Sequence, residues 1–479
     1  MINKTNTLCE NTADINNQKK YADRVSAVLK EKTLRLGRPL KVFVQTFGCQ
    51  QNEADSERLL GTAISLGYEK SDSLDNADLI IYNTCAVREH AELKALSKTG
   101  QLKHIKAKNP ELVVGLWGCM VSQEHRVDDI KNKYPYVDFV AGTNMLHRLP
   151  EILCDVMTHD RRRYYVDDED YSIVEGVPVT RENDLKAWLS IMYGCNNFCT
   201  YCVVPYVRGR ERSRKAEDII AEAKELVAEG YKEITLLGQN VNSYGKNTDG
   251  PGFAELLKGI CEIEGDFWVR FMTSHPKDVS DELIEVIKNN DKVAKHFHLP
   301  VQSGSNRILK LMNRNYTRER YLELVEKLRK AVPDITLTTD IIVGFPDETE
   351  ADFVETLDII NKVGFDSIYS FIYSKRKGTP AEKMQDPYTY EQKTERFARL
   401  MDLHHTKITE INKGYIGKTI RVLCETENKE NSTEYSGRCT GNKLIKFTAP
   451  AGSELYGKFV NVKITKAGDV QLYGEMVTE

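Results

Sequence analysis

The stretch YGCNNFCTYC, Tyr193 to Cys202, carries Cys195, Cys199 and Cys202 at spacings of four and three. The run before it, AWLSIM (187–192), reads as a strand, so the cysteines lie on the loop that leaves a strand. A closed tetrahedral zinc site wants four ligands, and no further Cys or His follows before Cys261. Three cysteines packed in a core is the plain alternative. Three thiolates also hold three irons of a 4Fe-4S cluster, which leaves the fourth iron open to a substrate or cofactor.

Downstream, apolar runs alternate with helical patterns. Candidate strands are AWLSIM, EITLLG, FWVRFM, HFHLPV, ITLTTDIIVG and DSIYSFIY, separated by segments such as AEDIIAEAKELVAEG and RERYLELVEKLRKAV. Six βα units over roughly 220 residues fit a barrel or partial barrel, whose chemistry sits at the C-terminal ends of the strands. The cysteine loop leaves the first of these strands.

Upstream, a second βα series begins at Lys41: strand KVFVQTF, helix EADSERLLGTAISLG, strand ADLIIYNT, helix REHAELKALSKTGQLKHIKAK, strands ELVVGLWG and VDFVAG. This alternation predicts a parallel sheet. Cys49, Cys85 and Cys119 each follow one of the first three strands, 36 and 34 residues apart. In a parallel sheet those ends share one edge. Scattered core cysteines would not all fall at the same phase of three units, and again there are three thiols with no fourth ligand.

Residues 1–39 read as a loosely ordered polar extension with one amphipathic helix, Tyr21 to Leu36. The charged segment 158–184 reads as a linker with room for a short strand. After the helical segment YEQKTERFARLMDLHHTKITEINKGYIG, the chain from Gly414 shows short β-like runs with Gly and Asn turns, the pattern of a small antiparallel β-barrel. The 479 residues are 41% hydrophobic and 29% charged with net charge −4, an ordinary globular mixture with no global basic field. No secretory h-region and no apolar run of about 18 residues is present, so a cytoplasmic location is expected. Eleven cysteines without an export signal suggest reduced thiols rather than a disulfide framework. Cys9, Cys154, Cys261, Cys424 and Cys439 have no partners at metal spacing.

The Cys-x-x-x-Cys-x-x-Cys pattern after the first strand of a partial barrel resembles the signature of radical SAM enzymes. The resemblance implies that Cys195, Cys199 and Cys202 hold a 4Fe-4S cluster whose open iron chelates S-adenosylmethionine. It implies further cofactor contacts: Tyr201 near the adenine, Gln239 and Asn240 in the loop for the methionine amino group, Gln302 at the ribose, Arg314 at the carboxylate and Asp340 beside the adenine. Each has a plainer reading, such as a helix-entry hydrogen bond for Gln302 or a surface position for Arg314.

With the first domain and the tail included, the chain from about residue 40 to 477 is similar to the methylthiotransferases. That resemblance implies an α/β fold of three parts. A parallel-sheet methylthiotransferase domain (40–157) holds a second 4Fe-4S cluster on Cys49, Cys85 and Cys119. A partial (βα)6 TIM-like radical SAM barrel (185–413) follows the linker, and the last part is an antiparallel TRAM β-barrel (414–479) that binds RNA. The runs CNNFCTYCVVPYVRGRERSR, TCAVREHAE, GQNVNSYG and GTNMLHRLP look most like the branch acting on isopentenyl-adenosine beside the tRNA anticodon. One departure is Gln51 in GCQQN, where that branch usually has Met. Other branches act on threonylcarbamoyl-adenosine or on a ribosomal-protein aspartate.

The family chemistry uses two molecules of SAM. One methylates sulfur on the auxiliary cluster, and the other yields a 5′-deoxyadenosyl radical that takes hydrogen from carbon 2 of the adenine. No side chain is assigned an acid–base role, and His275 and His298 read as structural. Expected partners are tRNA, an external electron donor and a sulfur source, with the chain as a monomer. VRGRERSRK (207–215) concentrates Arg208, Arg210, Arg212 and Arg214 just after the cluster loop, where they read as phosphate contacts or as a solvated helix entry. The tail is nearly neutral, nine Lys/Arg against eight Asp/Glu from Gly414 onward, so its RNA role rests on the resemblance alone.

Overall fold

The structure is a computed structural model. It describes residues 7–87, 89–159, 162–166, 172–173, 175–246, 248–428 and 433–477. The chain divides into two compact units. The first comprises residues 1–182, 193–196 and 203–212, and the second comprises 183–192, 197–202 and 213–479.

The first unit is built on a parallel sheet of strands β1 (Lys41–Phe47), β2 (Glu69–Lys70), β3 (Leu79–Thr84), β4 (Val113–Gly118), β5 (Phe139–Ala141) and β6 (Arg163–Tyr165), in the order β2-β1-β3-β4-β5-β6. β3 and β4 are buried at every position, because helices cover both faces of such a sheet and central strands lose their solvent side. The helices are α1 (Thr7–Leu36), α2 (Gln50–Leu66), α3 (Glu89–Lys108), α4 (Glu124–Lys133), α5 (Leu149–Thr158) and the short α6 (Val204–Arg208). α2 stops at Gly67, which adopts φ 117° and returns its N–H to the Ala63 and Ile64 carbonyls. This left-handed cap favours glycine.

One sequence expectation changes here, and the short strand for which the charged linker left room is present. The extension expected to be loose up to Tyr21 is helical from Thr7, and Val25 and Leu29 of that helix are buried in the core of this unit. Gln18 donates to Glu151 of α5 at 3.0 Å. The charged linker contributes β6, whose Arg163, Tyr164 and Tyr165 pair in parallel with β5. Residues 160–161, 167–171 and 174 of that linker lie outside the described residues.

In the second unit, β7 (Lys186–Ser190), β8 (Glu233–Leu237), β9 (Trp268–Phe271), β10 (His296–His298), β11 (Thr336–Val343) and β12 (Ser367–Ile372) follow one another along the chain. β9-β8-β7 form one parallel sheet and β10-β11-β12 a second. Around them run α7 (Ala216–Ala228), α8 (Phe253–Cys261), α9 (Asp281–Asn289), α10 (Asn306–Leu311), α11 (Arg318–Ala331) and α12 (Glu350–Val363). The entry to α12 is sealed by a capping box, with the Thr349 hydroxyl accepting from the Asp352 N–H and the Asp352 carboxylate accepting from Thr349. Phe267, Phe271, Phe297, Phe353 and Phe365 fill the core between strands and helices.

α13 (Tyr390–Lys413) leads to a closed barrel of β13 (Thr419–Glu427), β14 (Glu434–Cys439), β15 (Leu444–Thr448), β16 (Phe459–Ala467) and β17 (Gln471–Met476), ordered β13-β14-β15-β17-β16. It is antiparallel except where β15 and β17 pair in parallel to close it. The buried Arg270 joins this barrel to the partial barrel. Its guanidinium binds Glu233 at 2.6 Å and donates to the Thr440 and Cys439 carbonyls at 2.7 Å each. Trp268 packs on Phe459 with ring centroids 4.6 Å apart.

Candidate functional site

Strand register brings the first three cysteines together. Phe47 pairs with Thr84 across β1 and β3, and Thr84 pairs with Gly118 across β3 and β4. Cys49, Cys85 and Cys119 therefore leave three adjacent strands at the same level. Cys85 and Cys119 are buried, whereas Cys49, at the entry to α2, is exposed.

A polar network holds the three turns. Asn52 donates to Asn83 Oδ1 at 3.0 Å and to the Thr84 carbonyl at 3.2 Å, and it accepts from the Cys49 thiol at 3.2 Å. Asn83 returns a bond to the Asn52 carbonyl, and Thr84 Oγ1 donates to the Trp117 carbonyl. Gly118 sits at φ 100°, and a Cβ there would lie 2.4 Å from Asn83 Oδ1. Arg208 at the end of α6 points Nε at Cys119 Sγ, 3.3 Å away, while Nη2 reaches Asp55 at 2.8 Å. The hydrogen bond from Cys85 draws the Cys49 thiol down to about 6, and Arg208 adds to this. The same bond, with burial, pushes Cys85 up, and burial pushes Cys119 up despite Arg208. Three thiols at one edge, one readily ionised and one facing a guanidinium, are a donor set that fits a sulfur-ligated cluster.

The second cysteine loop is held from within. Gly194 adopts φ 78°, and a Cβ on it would fall 2.0 Å from the Arg210 carbonyl, so only glycine fits. Cys195 donates its N–H to the Gly209 carbonyl at 3.1 Å within the first unit. In the second unit, residues 197–202 are stitched to the segment after α10. Asn313 Nδ2 donates to the Asn197 and Phe198 carbonyls, both at 3.1 Å, and Thr200 binds the Leu311 and Met312 carbonyls. Arg314, 4% exposed, places Nη1 3.4 Å from Cys199 Sγ, Nη2 on the Pro300 carbonyl and Nε on the Tyr316 hydroxyl. Cys195 and Cys199 are buried and Cys202 is half-buried.

The loops after β8 and β9 present polar atoms with no hydrogen-bond partner among the described residues: Asn240 Oδ1, both amide atoms of Asn242, Ser274 Oγ and His275 Nε2. Buried groups of this kind are satisfied in native proteins. Their position at strand C-terminal ends fits a polar cofactor such as SAM. Phe198, Thr273, Gln302 and Asn313 all adopt positive φ in this region, a concentration of backbone strain typical of ligand sites.

Family models match three segments: "Uncharacterized protein family UPF0004" over residues 41–142, the radical SAM superfamily over 189–360 and the TRAM domain over 413–477. The tRNA-2-methylthio-N(6)-dimethylallyladenosine synthase of Clostridioides difficile (strain 630) is 49% identical over 464 residues, covering 97% of each chain. The enzyme of the same name from Clostridium perfringens (strain ATCC 13124) is 51% identical, covering 93% of this chain and 100% of its own. The chain belongs to the tRNA-2-methylthio-N(6)-dimethylallyladenosine synthase family. The structure of the radical S-adenosylmethionine methyltransferase TsrM from Kitasatospora setae shares the fold at a TM-score of 0.53 and 13% identity, covering 81% of this chain and 79% of its own.

In this synthase-family chain the remaining sequence candidates take the following places. Tyr201 packs edge-on against Phe345, ring centroids 6.4 Å apart, in the turn after β11. Asn240 donates to Asp278 at 2.7 Å, which leaves its oxygen free for a ligand, and Gln239 is half-buried beside it. Gln302, 7% exposed, bridges to β11 through its backbone. Asp340 lies 3.6 Å from His298 Nε2, and His298 Nδ1 meets Thr338 Oγ1 at 3.0 Å. His275 is kept neutral by burial and by the Arg314 charge.

Two of the four arginines read as phosphate contacts are placed otherwise. Arg208 and Arg214 are 4% and 6% exposed. Arg208 is paired with Asp55, and Arg214 with Glu222 at 2.8 Å and the Ser190 carbonyl. A buried guanidinium needs such partners, and neither side chain faces solvent. Arg210 is exposed and Arg212 half-buried. Sequence reading missed Asn52, Asn83, Asn242, Ser274 and Asn313. Each is a lone amide or hydroxyl with no charge or thiol to single it out. Asn52, Asn83 and Asn242 lay inside quoted stretches, but the bonds Asn83 and Asn313 make, and most of those of Asn52, are to residues distant in sequence.

Proposed function

We propose that this protein methylthiolates carbon 2 of N6-dimethylallyladenosine in tRNA. The observation that carries the reading is the near full-length similarity to synthases of that name, joined to two separate cysteine triads in one chain. Cys195, Cys199 and Cys202 are the proposed ligands of the SAM-binding 4Fe-4S cluster, and Cys49, Cys85 and Cys119 those of the auxiliary cluster. When bound, the two clusters and SAM supply the electron, radical and sulfur chemistry.

The chain's own residues bind and orient. Tyr201, Gln239, Asn240, Gln302, Arg314 and Asp340 form the proposed SAM cradle, to which we add Asn242 and Ser274 for their unpartnered polar atoms. The Asn313 amide holds the loop that carries Cys199 and Cys202. The substrate adenine has to leave its stack to expose carbon 2, and Arg210 and Arg212 are the remaining candidates for phosphate contacts. The proposed division is an extension 1–39, a methylthiotransferase domain 40–157, a linker 158–184, a radical SAM core 185–413 and an RNA-binding TRAM domain 414–479. We place the protein in the cytoplasm as a monomer served by an external electron donor and sulfur source. Among the described residues no helix is long and apolar enough to cross a membrane.

The test is anaerobic reconstitution followed by incubation with SAM, reductant and dimethylallylated tRNA, read by nucleoside mass analysis. A gain of the methylthio nucleoside is expected. Its absence, with about eight irons bound per chain and 5′-deoxyadenosine formed, would reject this substrate.

A further inference from the structure

The buried pair Arg208–Asp55 is used by none of the roles above. Arg208 is 4% exposed and ends a five-residue helix that begins two residues after Cys202. Val203, just before that helix, and Val207 within it pack on Ala86 and Cys119. The Val207 carbonyl accepts from Thr143 Oγ1 at 2.8 Å, and the Arg208 carbonyl accepts from Arg212 at 3.2 Å. The guanidinium is thus fixed from several sides, with Nε 3.3 Å from Cys119 Sγ and Nη2 2.8 Å from Asp55.

Burying a guanidinium is costly unless its hydrogens find strong acceptors. Asp55 supplies one. The other is the sulfur of Cys119, and a neutral thiol is only a weak acceptor. The arrangement therefore suits a sulfur that carries negative charge. Asp55 balances the formal charge, so what remains directed at the sulfur is an N–H dipole and the near edge of a cation.

We infer that Arg208 is a positioning residue for the Cys49, Cys85 and Cys119 site, orienting the Cys119 sulfur and raising the reduction potential of the cluster held there. This rests on the proposed assignment of those three cysteines to a cluster. Hydrogen bonds to ligand sulfurs and local charge are two of the terms that set cluster potentials. Adding one electron makes the cluster more negative, so an N–H donor and a nearby cation stabilise the reduced form more than the oxidised one. Arg314 at Cys199 makes an informative contrast. It has the same kind of N–H···S contact at 3.4 Å, but its other partners are a carbonyl and a phenol rather than a carboxylate.

The experiment uses the full chain with Cys195, Cys199 and Cys202 changed to alanine, so that one site remains. Asp55→Asn, Asp55→Asn/Arg208→Met and Arg208→Lys are compared after anaerobic reconstitution. The double variant removes the guanidinium without leaving a buried carboxylate unpaired. Iron per chain is counted, and each variant is brought with dithionite and redox mediators to the same solution potential while the reduced signal is followed by electron paramagnetic resonance. The double variant should keep about four irons. At a fixed poise its reduced-to-oxidised ratio should be about tenfold below that of Asp55→Asn, a shift of about 59 mV for a one-electron couple.

Arg208→Lys, which keeps the charge and loses the Nε direction, should fall below its own Asp55 parent by a smaller factor. A ratio unchanged within about twofold in both comparisons overturns the inference. If the double variant binds no iron, Arg208→Lys alone decides by the same criterion. Absence of iron from the parent with only this triad overturns the cluster assignment itself.

Discussion

Asn52→Ala tests whether the first cysteine edge is built by the buried amide network. Asn52 and Asn83 are both 0% exposed. Truncation removes two donated bonds and the acceptor for the Cys49 thiol. The Thr84 carbonyl keeps the Cys119 N–H at 2.8 Å, so its loss is about 1 kcal/mol. Asn83 Oδ1 is left buried without its donor, at about 1–3 kcal/mol. The sum is about 2–4 kcal/mol, which should lower the melting temperature of a unit this size by roughly 4–16 °C. Thermal unfolding of the apoprotein, followed by circular dichroism, checks the stability. Iron counting in the triple-alanine background that retains Cys49, Cys85 and Cys119 checks the site, with a fall well below about four irons expected. An unchanged melting temperature together with full iron would refute the reasoning, because it would mean that neither turn depends on the amide.

Gly194→Ala meets the Arg210 carbonyl at 2.0 Å in a backbone at φ 78°, and should abolish iron binding at the second triad while iron at the first persists. Arg270→Met strips Glu233 of its buried partner and frees the Thr440 and Cys439 carbonyls. A loss of about 3–5 kcal/mol is expected, with faster proteolytic release of the C-terminal barrel than in the unmodified protein. Glu348, 1% exposed, is pushed up to about 7 by burial, against the Gly344 N–H and the Arg396 charge. Because the folded value lies above the unfolded one of 4.5, the folded state binds more protons between them. Stability should therefore decline on the order of 3 kcal/mol as pH rises from about 4.5 to 7. Glu348→Gln should remove that part of the slope in denaturant unfolding measured across this range.

Much of the architecture was legible because its signals are local. Alternating strand and helix patterns marked both βα series, and the six cysteines at strand ends pointed to two clusters. Other features are carried by partners far away in sequence. β6 lies in the charged linker that had room for a short strand, but its place at the sheet edge is set by β5, which offers its backbone groups to a strand with little hydrophobicity. The first half of α1 is polar, yet its Gln18 finds Glu151, 133 residues on. Arg208 and Arg214 sit in a run of charge that looks solvated until Asp55 and Glu222 are brought to them. Gln302 was singled out by its motif, but nothing local announces its positive φ.

By itself the sequence determined which chemistry is available. Three thiols follow three strands in one domain, and three more follow the first strand of a barrel. Periodicity and spacing suffice for that, because both are properties of the chain alone. Tertiary structure decided which polar groups serve the site. Parallel register put Cys49, Cys85 and Cys119 at one level. Packing turned Arg208 from a surface cation into the donor at Cys119 and left Asn240 Oδ1, the Asn242 amide and Ser274 Oγ without hydrogen-bond partners among the described residues. Burial is what makes these roles. The cost of an unpaired charge or amide depends on what surrounds it, and the surroundings come from residues tens to hundreds of positions away.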